Sequence, residues 1–261
     1  MKIFFAGSEA GSHEEILRKK GVKNYLYSYF YVNKSKSFLD FEGLNVFIDS
    51  GGYSARIKDI DIDVYAFGEF LAKHKDKIFA AANLDVNDIE TQLSNQKILE
   101  QYYPVLPVFH LQDYANKRQD LLVQYLEKYP YIALGGMVGA SSKHLEIFLN
   151  YCFSLGLKKK VKYHGFGLTS SKFLMQYPFY SVDSTSWLGG GRYGTMQKWD
   201  AQTYKMKSSI HYKDRDRMLE NRMDFEAIGD YFKRLENDID QVLKMETQIT
   251  ELWKKRGIIY N

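Results

Sequence analysis

Three aspartates follow short apolar runs in this sequence, and each stands where a buried strand would end. Asp49 closes NVFID, Asp85 closes AAANLD, and Asp183 closes YSVD before a run of small hydroxyl residues. In barrel enzymes the carboxyl ends of the strands carry reactive groups to the rim where loops form the site. The three acids are therefore candidates for one catalytic centre, although any one of them alone would more readily be a turn or a helix cap.

The residues after the first acid suit a flat ligand. Glycines allow a backbone to approach such a ligand because no Cβ intervenes, and an aromatic ring is able to stack on it. The four residues after Asp49 are Ser50, Gly51, Gly52 and Tyr53. Asp85 follows a run of alanines that leaves space. Its carboxylate would accept hydrogen bonds from an amidine-like edge such as the N1–H and 2-amino group of guanine, and the alternative is a cap on the next helix.

Later strand ends carry histidine and glycine in place of acids. Exposed backbone N–H groups in GGMVG would bind a carbonyl oxygen or a phosphate, whereas a tight turn would need the same glycines. A lone histidine is more often a structural residue than a ligand contact. The candidate substrate contacts at these strand ends are His110, Gly135, Gly136, Met137, His164 and Gly165.

The elements that position these residues alternate regularly between apolar strands and amphipathic helices. This alternation is typical of βα units around a parallel sheet. About seven strands precede residue 190, and the segment from Gly194 to Lys207 is a candidate for an eighth. We therefore predict an α/β fold of the (β/α)8 barrel type. A doubly wound sheet is the main competitor, but no G-x-G-x-x-G follows the first strand.

The strands and helices have clear sequence signals. The seven predicted strands are Lys2–Ala6, Asn45–Ile48, Ile78–Leu84, Pro104–Phe109, Tyr131–Leu134, Val161–His164 and Phe179–Val182, and the run Tyr25–Val32 is aromatic and extended in character. The predicted helices include Val64–His74, Asp88–Tyr102, Arg118–Lys128 and Lys143–Leu155, the last capped by Gly156. A long amphipathic helix is predicted between Asp224 and Lys255. We expect one domain over residues 1–261, with the barrel over about 1–207 and a basic segment and C-terminal helix over 208–261.

The charge balance permits nucleic-acid binding without demanding it. The 261 residues carry a net charge of +4, and aromatic residues make up 16% of the chain, most of which we assign to the core. A basic stretch runs from Lys205 to Arg222, and it suits either phosphate contact or a solvated loop. The candidate contacts to a nucleic-acid backbone are Arg192, Lys207, Lys213, Arg215 and Arg217.

The single cysteine, Cys152, excludes an internal disulfide and a cysteine-rich zinc site. Met1 leads directly into KIFFAG, which lacks the basic start and long apolar core of a signal peptide. No apolar run reaches the roughly 18 residues of a membrane span. We therefore expect a cytoplasmic protein.

Five segments, in this order and spacing, resemble the guanine-exchanging transglycosylases of nucleic acids. The segments are FIDSGGYSA, NLDV, ALGGMVG, HGFGLTS and VDSTSW, and the similarity covers roughly residues 45–197. This family comprises the tRNA-guanine (queuine) transglycosylases and their DNA-acting relatives, which insert 7-deazaguanines. The run GGGRYGT, Gly189 to Thr195, is also similar to the family's arginine and glycine run after the nucleophile.

The resemblance implies a (β/α)8 barrel and a double displacement at C1′ of the target nucleoside. By this resemblance, Asp183 matches the family's nucleophile, Asp49 matches its general acid/base, and Asp85 matches the aspartate that recognises the base. Tyr53 matches the stacking aromatic, and the backbone around Gly135 to Met137 matches the groups that contact the base. Family members often form homodimers, so a homodimer is an open expectation here.

The chain departs from the family in three respects, since it is also shorter than typical members. It lacks the zinc-binding segment of three cysteines and a histidine, so no cofactor is expected. The family's glutamine after the fourth strand is not evident, and His110 or Gln112 stands near its position. A zinc-free, shorter chain resembles the phage-type members, which favours DNA slightly over tRNA, in a host cytoplasm if the chain is phage-encoded. Two alternatives stay open: a base-releasing N-glycosidase or nucleosidase, and a catalytically silent nucleic-acid-binding module.

Overall fold

A computed structural model describes residues 1–9, 11–33, 43–85, 88–208 and 229–259. The strands in these ranges are β1 (Lys2–Ala6), β2 (Asn24–Ser28), β3 (Asn45–Asp49), β4 (Ile78–Ala81), β5 (Val108–His110), β6 (Tyr131–Gly135), β7 (Lys162–Gly165), β8 (Ser181–Ser184), β9 (Gln197–Asp200) and β10 (Lys205–Ser208). The helices are α1 (Gly11–Lys19), α2 (Tyr29–Val32), α3 (Gly52–Ile57), α4 (Val64–Lys73), α5 (Ile89–Leu99), α6 (Leu111–Ala115), α7 (Gln119–Lys128), α8 (Ser142–Lys159), α9 (Ser171–Gln176), α10 (Gly189–Tyr193) and α11 (Tyr231–Lys255).

The chain forms two compact units, one over residues 23–167 and the other over residues 1–22 and 168–261. In the central unit, residues 23–167, β2 pairs with β3, β3 with β4, β5 with β6, and β6 with β7, all in parallel. A parallel bridge between Ala82 and Leu106 links the ends of β4 and β5. The six strands therefore lie side by side in chain order, as expected where each connection leads from one parallel strand to the next.

The register of the central unit brings its candidate residues to one edge. Asp49 stands opposite Ser28 at the end of β3, and His110 stands opposite Gly135 at the ends of β5 and β6. Gly165 ends β7 beside Leu134. Since parallel strands end at the same edge, polar residues that are far apart in sequence become neighbours there.

The second unit, residues 1–22 and 168–261, is built around the parallel pair of β1 and β8. Strands β9 and β10 form an antiparallel hairpin in the same unit. Helix α11 begins after Asp230, whose carboxylate accepts hydrogen bonds from the backbone N–H groups of Phe232 and Lys233. It packs against α1, α9, α10, β1 and β9. The predicted long amphipathic helix is therefore confirmed where the structure describes it.

The α/β class is confirmed, and most predicted elements lie within a few residues of their observed bounds. Three details differ. The run Tyr25–Val32 divides into β2 and α2. Residues 194–207 contribute the antiparallel hairpin of β9 and β10 and no further parallel strand. Gly156 lies inside α8 and does not cap it; a Cβ there would be 2.6 Å from the Tyr163 hydroxyl, so the glycine makes room for that side chain. Lys160, in a left-handed conformation, caps the helix instead.

Among the helices in the described ranges, none combines the length and the apolar character that crossing a bilayer requires.

Candidate functional site

The turn after β3 is shaped by its glycines and not only by its acid. Asp49 is partly exposed, and its Oδ2 accepts a hydrogen bond of 3.1 Å from the backbone N–H of Gly51. Gly51 has φ +78°, and a Cβ at this position would lie 2.6 Å from the Cβ of Phe30. Glycine is therefore required at residue 51 by both backbone conformation and packing. The turn holds the Asp49 carboxylate at the edge of the sheet.

The Asp85 carboxylate is held from two sides. Its Oδ1 accepts a hydrogen bond of 3.1 Å from the buried Ser50 hydroxyl, and its Oδ2 lies 2.9 Å from Nε2 of His110. Ser50 is itself fixed, because its Oγ accepts a hydrogen bond from the backbone N–H of Gly52. The side chain of Asp85 remains 24% exposed. Asp88, and not Asp85, caps the following helix through the N–H of Thr91.

His110 stands between two carboxylates. Its Nδ1 lies 3.5 Å from Oδ2 of Asp113, and the same oxygen accepts a hydrogen bond of 2.9 Å from the His110 backbone N–H. Burial lowers the pKa of His110, but hydrogen bonds and charge from Asp113 and Asp85 outweigh it and raise the pKa to about 9. The ring is therefore an imidazolium at neutral pH, and both of its N–H groups face acids. Gln112, the other candidate for this position, is exposed and bonds to Asn116.

Gly135 makes room for the histidine ring. A Cβ at residue 135 would lie 2.6 Å from Cδ2 and 2.9 Å from Nε2 of His110. This glycine therefore serves a neighbouring side chain, which is a different role from the close approach of a ligand. The next residue, Gly136, is exposed with φ +68°, and Met137 is buried.

Helix α5 supports Asp85 through a buried row of amides. Asn95 donates a hydrogen bond of 3.1 Å to the carbonyl of Leu84, the residue immediately before Asp85. Gln92 donates to the carbonyl of Val108, and Gln96 donates to that of Val105. These bonds satisfy carbonyls where strand pairing stops, so the helix fixes the segments that carry Asp85 and His110.

Two further candidates in the central unit occupy opposite environments. Tyr53 is 70% exposed, and the guanidinium of Arg56 lies 5.6 Å from the centre of its ring. His164 is fully buried. Its ring stacks on Phe47 at a centroid distance of 4.3 Å and meets the edge of Phe166 at 4.7 Å. This is the environment of a core histidine, whereas Tyr53 is open to a stacking partner.

In the second unit, Asp183 lies within β8 opposite Phe4 of β1 and is 8% exposed. The hydroxyls after it form their own network. Thr169 donates a hydrogen bond of 3.0 Å to the Ser184 hydroxyl, which also accepts one of 2.9 Å from the Ser186 backbone N–H. The indole N–H of Trp187 donates to the carbonyl of Ala6, which anchors the loop after β8.

The glycine run after β8, Gly189 to Gly191, forms part of the surface against which α11 packs. The carboxylate of buried Asp238 accepts hydrogen bonds from the backbone N–H groups of Gly190 and Gln197. Burial raises the pKa of Asp238, against the effect of these bonds and of Arg234. A Cβ on Gly191 would lie 2.6 Å from the ring of Tyr231. The run GGGRYGT therefore has a packing role whether or not it also contacts a ligand.

The cationic candidates divide into described and undescribed residues. Arg192 is exposed on α10. Lys207 is exposed on β10 and pairs with Asp200 at 2.6 Å, a contact that holds the pKa of the Asp200 carboxyl well below its usual range. Lys213, Arg215 and Arg217 lie outside the described residues.

The structure therefore gathers Ser50, Asp85, His110 and Gly135 into one cluster at the edge of the central unit. Asp113 and the amides of α5 also belong to this site and were not predicted from the sequence, although the three-residue spacing from His110 to Asp113 is that at which an acidic side chain reaches back to the backbone N–H at the start of a helix. In the described part of the chain, no group of three or more His, Cys, Asp or Glu side chains is arranged to hold a metal ion. A scan against models of known protein families and a search of curated proteins find no match for this chain.

Proposed function

We propose that the protein is a guanine transglycosylase that exchanges a guanine in nucleic acid for a free 7-deazaguanine base. DNA is favoured slightly over tRNA as the polymer, on the resemblance of the chain to the zinc-free members of that family. Closure of the parallel strands into a (β/α)8 barrel is part of the proposal.

The observation that supports it most is the state of Asp85. Both oxygens of this carboxylate already accept a bond, from Ser50 and from His110, and the side chain is still 24% exposed. A carboxylate offers about four lone-pair positions. Those left free suit two parallel donors, and the N1–H and 2-amino groups of guanine are such a pair. A ligand without two adjacent donors would leave part of this acceptor unpaired, which disfavours its binding.

The chemistry assigned to Asp183 is nucleophilic attack. Its carboxylate would bond to C1′ as the bond from C1′ to N9 of guanine breaks, with the electron pair leaving on the base. Asp49 would supply the proton that the departing base needs. A second base then attacks C1′, the ester bond to Asp183 breaks, and Asp49 takes up the proton of the incoming base. Two inversions give net retention.

Two properties of these acids support their separate roles. Asp183 is nearly buried inside a strand, which suits an attacking group of fixed orientation, and Asp49 is partly exposed at a turn that solvent reaches. A nucleophile must stay ionised while the other acid changes its protonation, so the two need different surroundings. The target base must also leave the stack before Asp85 is able to read it.

Exchange is tested by incubating the protein with labelled guanine, preQ0 or preQ1 and either DNA or tRNA. We expect label in the polymer, and we expect Asp183→Asn to reduce incorporation by at least about a thousandfold. Asp240→Asn is the matched control, because Asp240 is an acid of the same unit that pairs with Lys20 on the surface.

Other outcomes separate the alternatives. Release of guanine without a second base would identify a base-releasing hydrolase. Salt-dependent binding of nucleic acid that Asp183→Asn leaves unchanged, with no release or exchange, would identify a silent binding module. Absence of label from both polymers with every base would reject the proposed exchange.

A further inference from the structure

The Asp85 carboxylate is held by a histidine whose ring nitrogens are both directed at acids. Nε2 of His110 lies 2.9 Å from Asp85, and Nδ1 lies 3.5 Å from Asp113. The Nε2–H group is bonded to Asp85 and the Nδ1–H group faces the carboxylate of Asp113, so each ring N–H group is directed at an acid and away from a ligand. We propose that His110 is a positioning residue, which fixes the orientation of Asp85 for base recognition and does not itself contact the base. The base as ligand rests on the proposed function, whereas the positioning rests on the geometry alone.

The opposite side of Asp85 is fixed by Ser50. The serine is fully buried and donates to Oδ1 of Asp85 while accepting from the backbone N–H of Gly52. One carboxylate oxygen is thus tied to the turn after β3 and the other to the end of β5. Rotation of the carboxylate would break both bonds, so its free lone pairs keep one direction.

His110 is in turn unable to move away. Its ring lies against Gly135, where even a Cβ would approach Cδ2 to 2.6 Å. Its backbone N–H is bonded to Asp113, which is buried. The ring is therefore confined by a strand on one side and by a capping carboxylate on the other. A side chain held this firmly is suited to orienting a neighbour and is poorly suited to following a ligand.

A histidine gives a firmer hold here than a neutral amide would. A bond between an imidazolium and a carboxylate is charge-assisted and roughly twice as strong as a neutral one. His110→Gln is able to keep one donor toward Asp85 and removes the charge. It also loses the contact with Asp113, so the variant separates the presence of a hydrogen bond from its strength and alignment.

The geometry is tested without any ligand by nuclear magnetic resonance of isotope-labelled histidine ring nitrogens. We expect both ring nitrogens of His110 to carry protons at neutral pH. We expect Asp85→Asn to shift the Nε2 signal strongly and Asp113→Asn to shift the Nδ1 signal. The His74→Gln variant identifies, by their loss, the ring signals of His74, a buried histidine of the same unit. In protein that keeps His74, these signals should not respond to Asp85→Asn or to Asp113→Asn. A His110 spectrum that is indifferent to Asp85→Asn would overturn the proposal.

The consequence for recognition is tested by the affinity of free guanine, measured by calorimetry. We expect His110→Gln to weaken binding about tenfold and His110→Ala more, as a charge-assisted bond is lost. Ser50→Ala should weaken binding in the same direction, while His74→Gln should bind as the unchanged protein does. Unchanged affinity in His110→Ala, with correct folding shown by its circular dichroism, would overturn the positioning role.

Failure of this proposal and failure of the proposed function are distinguishable. Protein that binds guanine and exchanges none would reject the exchange, while the histidine tests would stand because they need only binding and ring signals. Protein that exchanges guanine normally after His110→Ala would reject the positioning role and leave the exchange intact. If no guanine binds at all, the ring-nitrogen signals alone decide whether His110 holds Asp85.

Discussion

His110 and Gly135 stand opposite each other in the parallel pair of β5 and β6, and the imidazole of one fills the space above the other. Gly135, the last residue of the ALG run, is thus explained by the side chain of His110, 25 residues earlier, which packs against its bare backbone. The same ring then reaches Asp85, so the bare backbone at residue 135 and the orientation of the acid form one arrangement.

Gly135→Ala is therefore expected to displace the His110 ring. A methyl group at 2.6 Å from Cδ2 forces a shift of the ring or the strand, and overpacking of this kind costs about 1–3 kcal/mol. The free energy of unfolding, measured by chemical denaturation, should fall by this amount. Gly11→Ala is the control, because nothing lies within 4 Å of a Cβ there. Equal stability of Gly135→Ala and the parent would contradict the assigned contact.

The charge on His110 gives stability a defined dependence on pH. Since Asp113 and Asp85 raise its pKa in the folded protein from 6.5 to about 9 against the effect of burial, its contribution is fully present below about pH 6.5. It is lost as pH rises through about 9. The contribution amounts to up to about 3 kcal/mol. Denaturation of the parent and His110→Gln at several pH values checks this.

The expected pattern is a gap between the two proteins that is widest in mildly acidic buffer and narrows as pH rises toward 10. A gap that stays constant over that range would show that the histidine titrates elsewhere. A gap that widens with rising pH would show that burial, and not the two acids, controls its protonation.

Much of the fold was readable from the sequence because it is built from local signals. The apolar runs that become β1, β3 and β6 are bounded by glycine or aspartate, and the parallel arrangement follows from the alternation with helices. Asp85 and His110 were both identified from their positions at strand ends. Their contact with each other was not, because it depends on the register between strands.

Three features of the structure are not predictable from local sequence patterns, for physical reasons. The buried face of α5 is formed by Gln92, Asn95 and Gln96 together with Leu99, so a search for apolar periodicity recognises only one of its four buried residues. Asp113 has no distinctive sequence signal, because the bond from the His110 backbone N–H to its carboxylate forms only where the chain turns from β5 into α6. The glycine run from Gly189 is explained by a helix whose Asp238 lies 48 residues after Gly190, a distance at which local patterns carry no information.

The hydrogen bonds from the amides of α5 predict that a substitution on this helix alters the position of Asp85. Asn95→Ala removes the buried donor to the Leu84 carbonyl, and leaving a buried acceptor unsatisfied costs about 1–3 kcal/mol. We expect the free energy of unfolding to fall by this amount and the affinity for guanine to weaken, since Leu84 precedes Asp85. Gln101→Ala is the exposed amide control. If both variants bind guanine equally well, the helix does not position Asp85.

The packing of α11 on the glycine run predicts that alanine substitutions at two neighbouring glycines change stability differently. A Cβ on Gly190 would lie 2.7 Å from Oδ2 of Asp238 and 2.7 Å from the backbone carbonyl of Thr195, whereas one on Gly189 would meet only the end of the Gln197 side chain at 3.3 Å. A backbone carbonyl is unable to yield as a side chain does. We therefore expect Gly190→Ala to lower the free energy of unfolding by about 1–3 kcal/mol and to speed proteolysis near the start of α11.

Gly189→Ala serves as the matched control, because it adds the same methyl group one residue earlier in the same run. We expect its free energy of unfolding to stay within about 0.5 kcal/mol of the parent. From one face of α11, Arg234 donates a hydrogen bond to the Gly190 carbonyl and Asp238 accepts one from the Gly190 N–H. A displacement of Gly190 should therefore weaken both hydrogen bonds together. Cleavage of Gly190→Ala at the parent's rate would show that α11 does not depend on these hydrogen bonds, and the glycine run would then need another explanation.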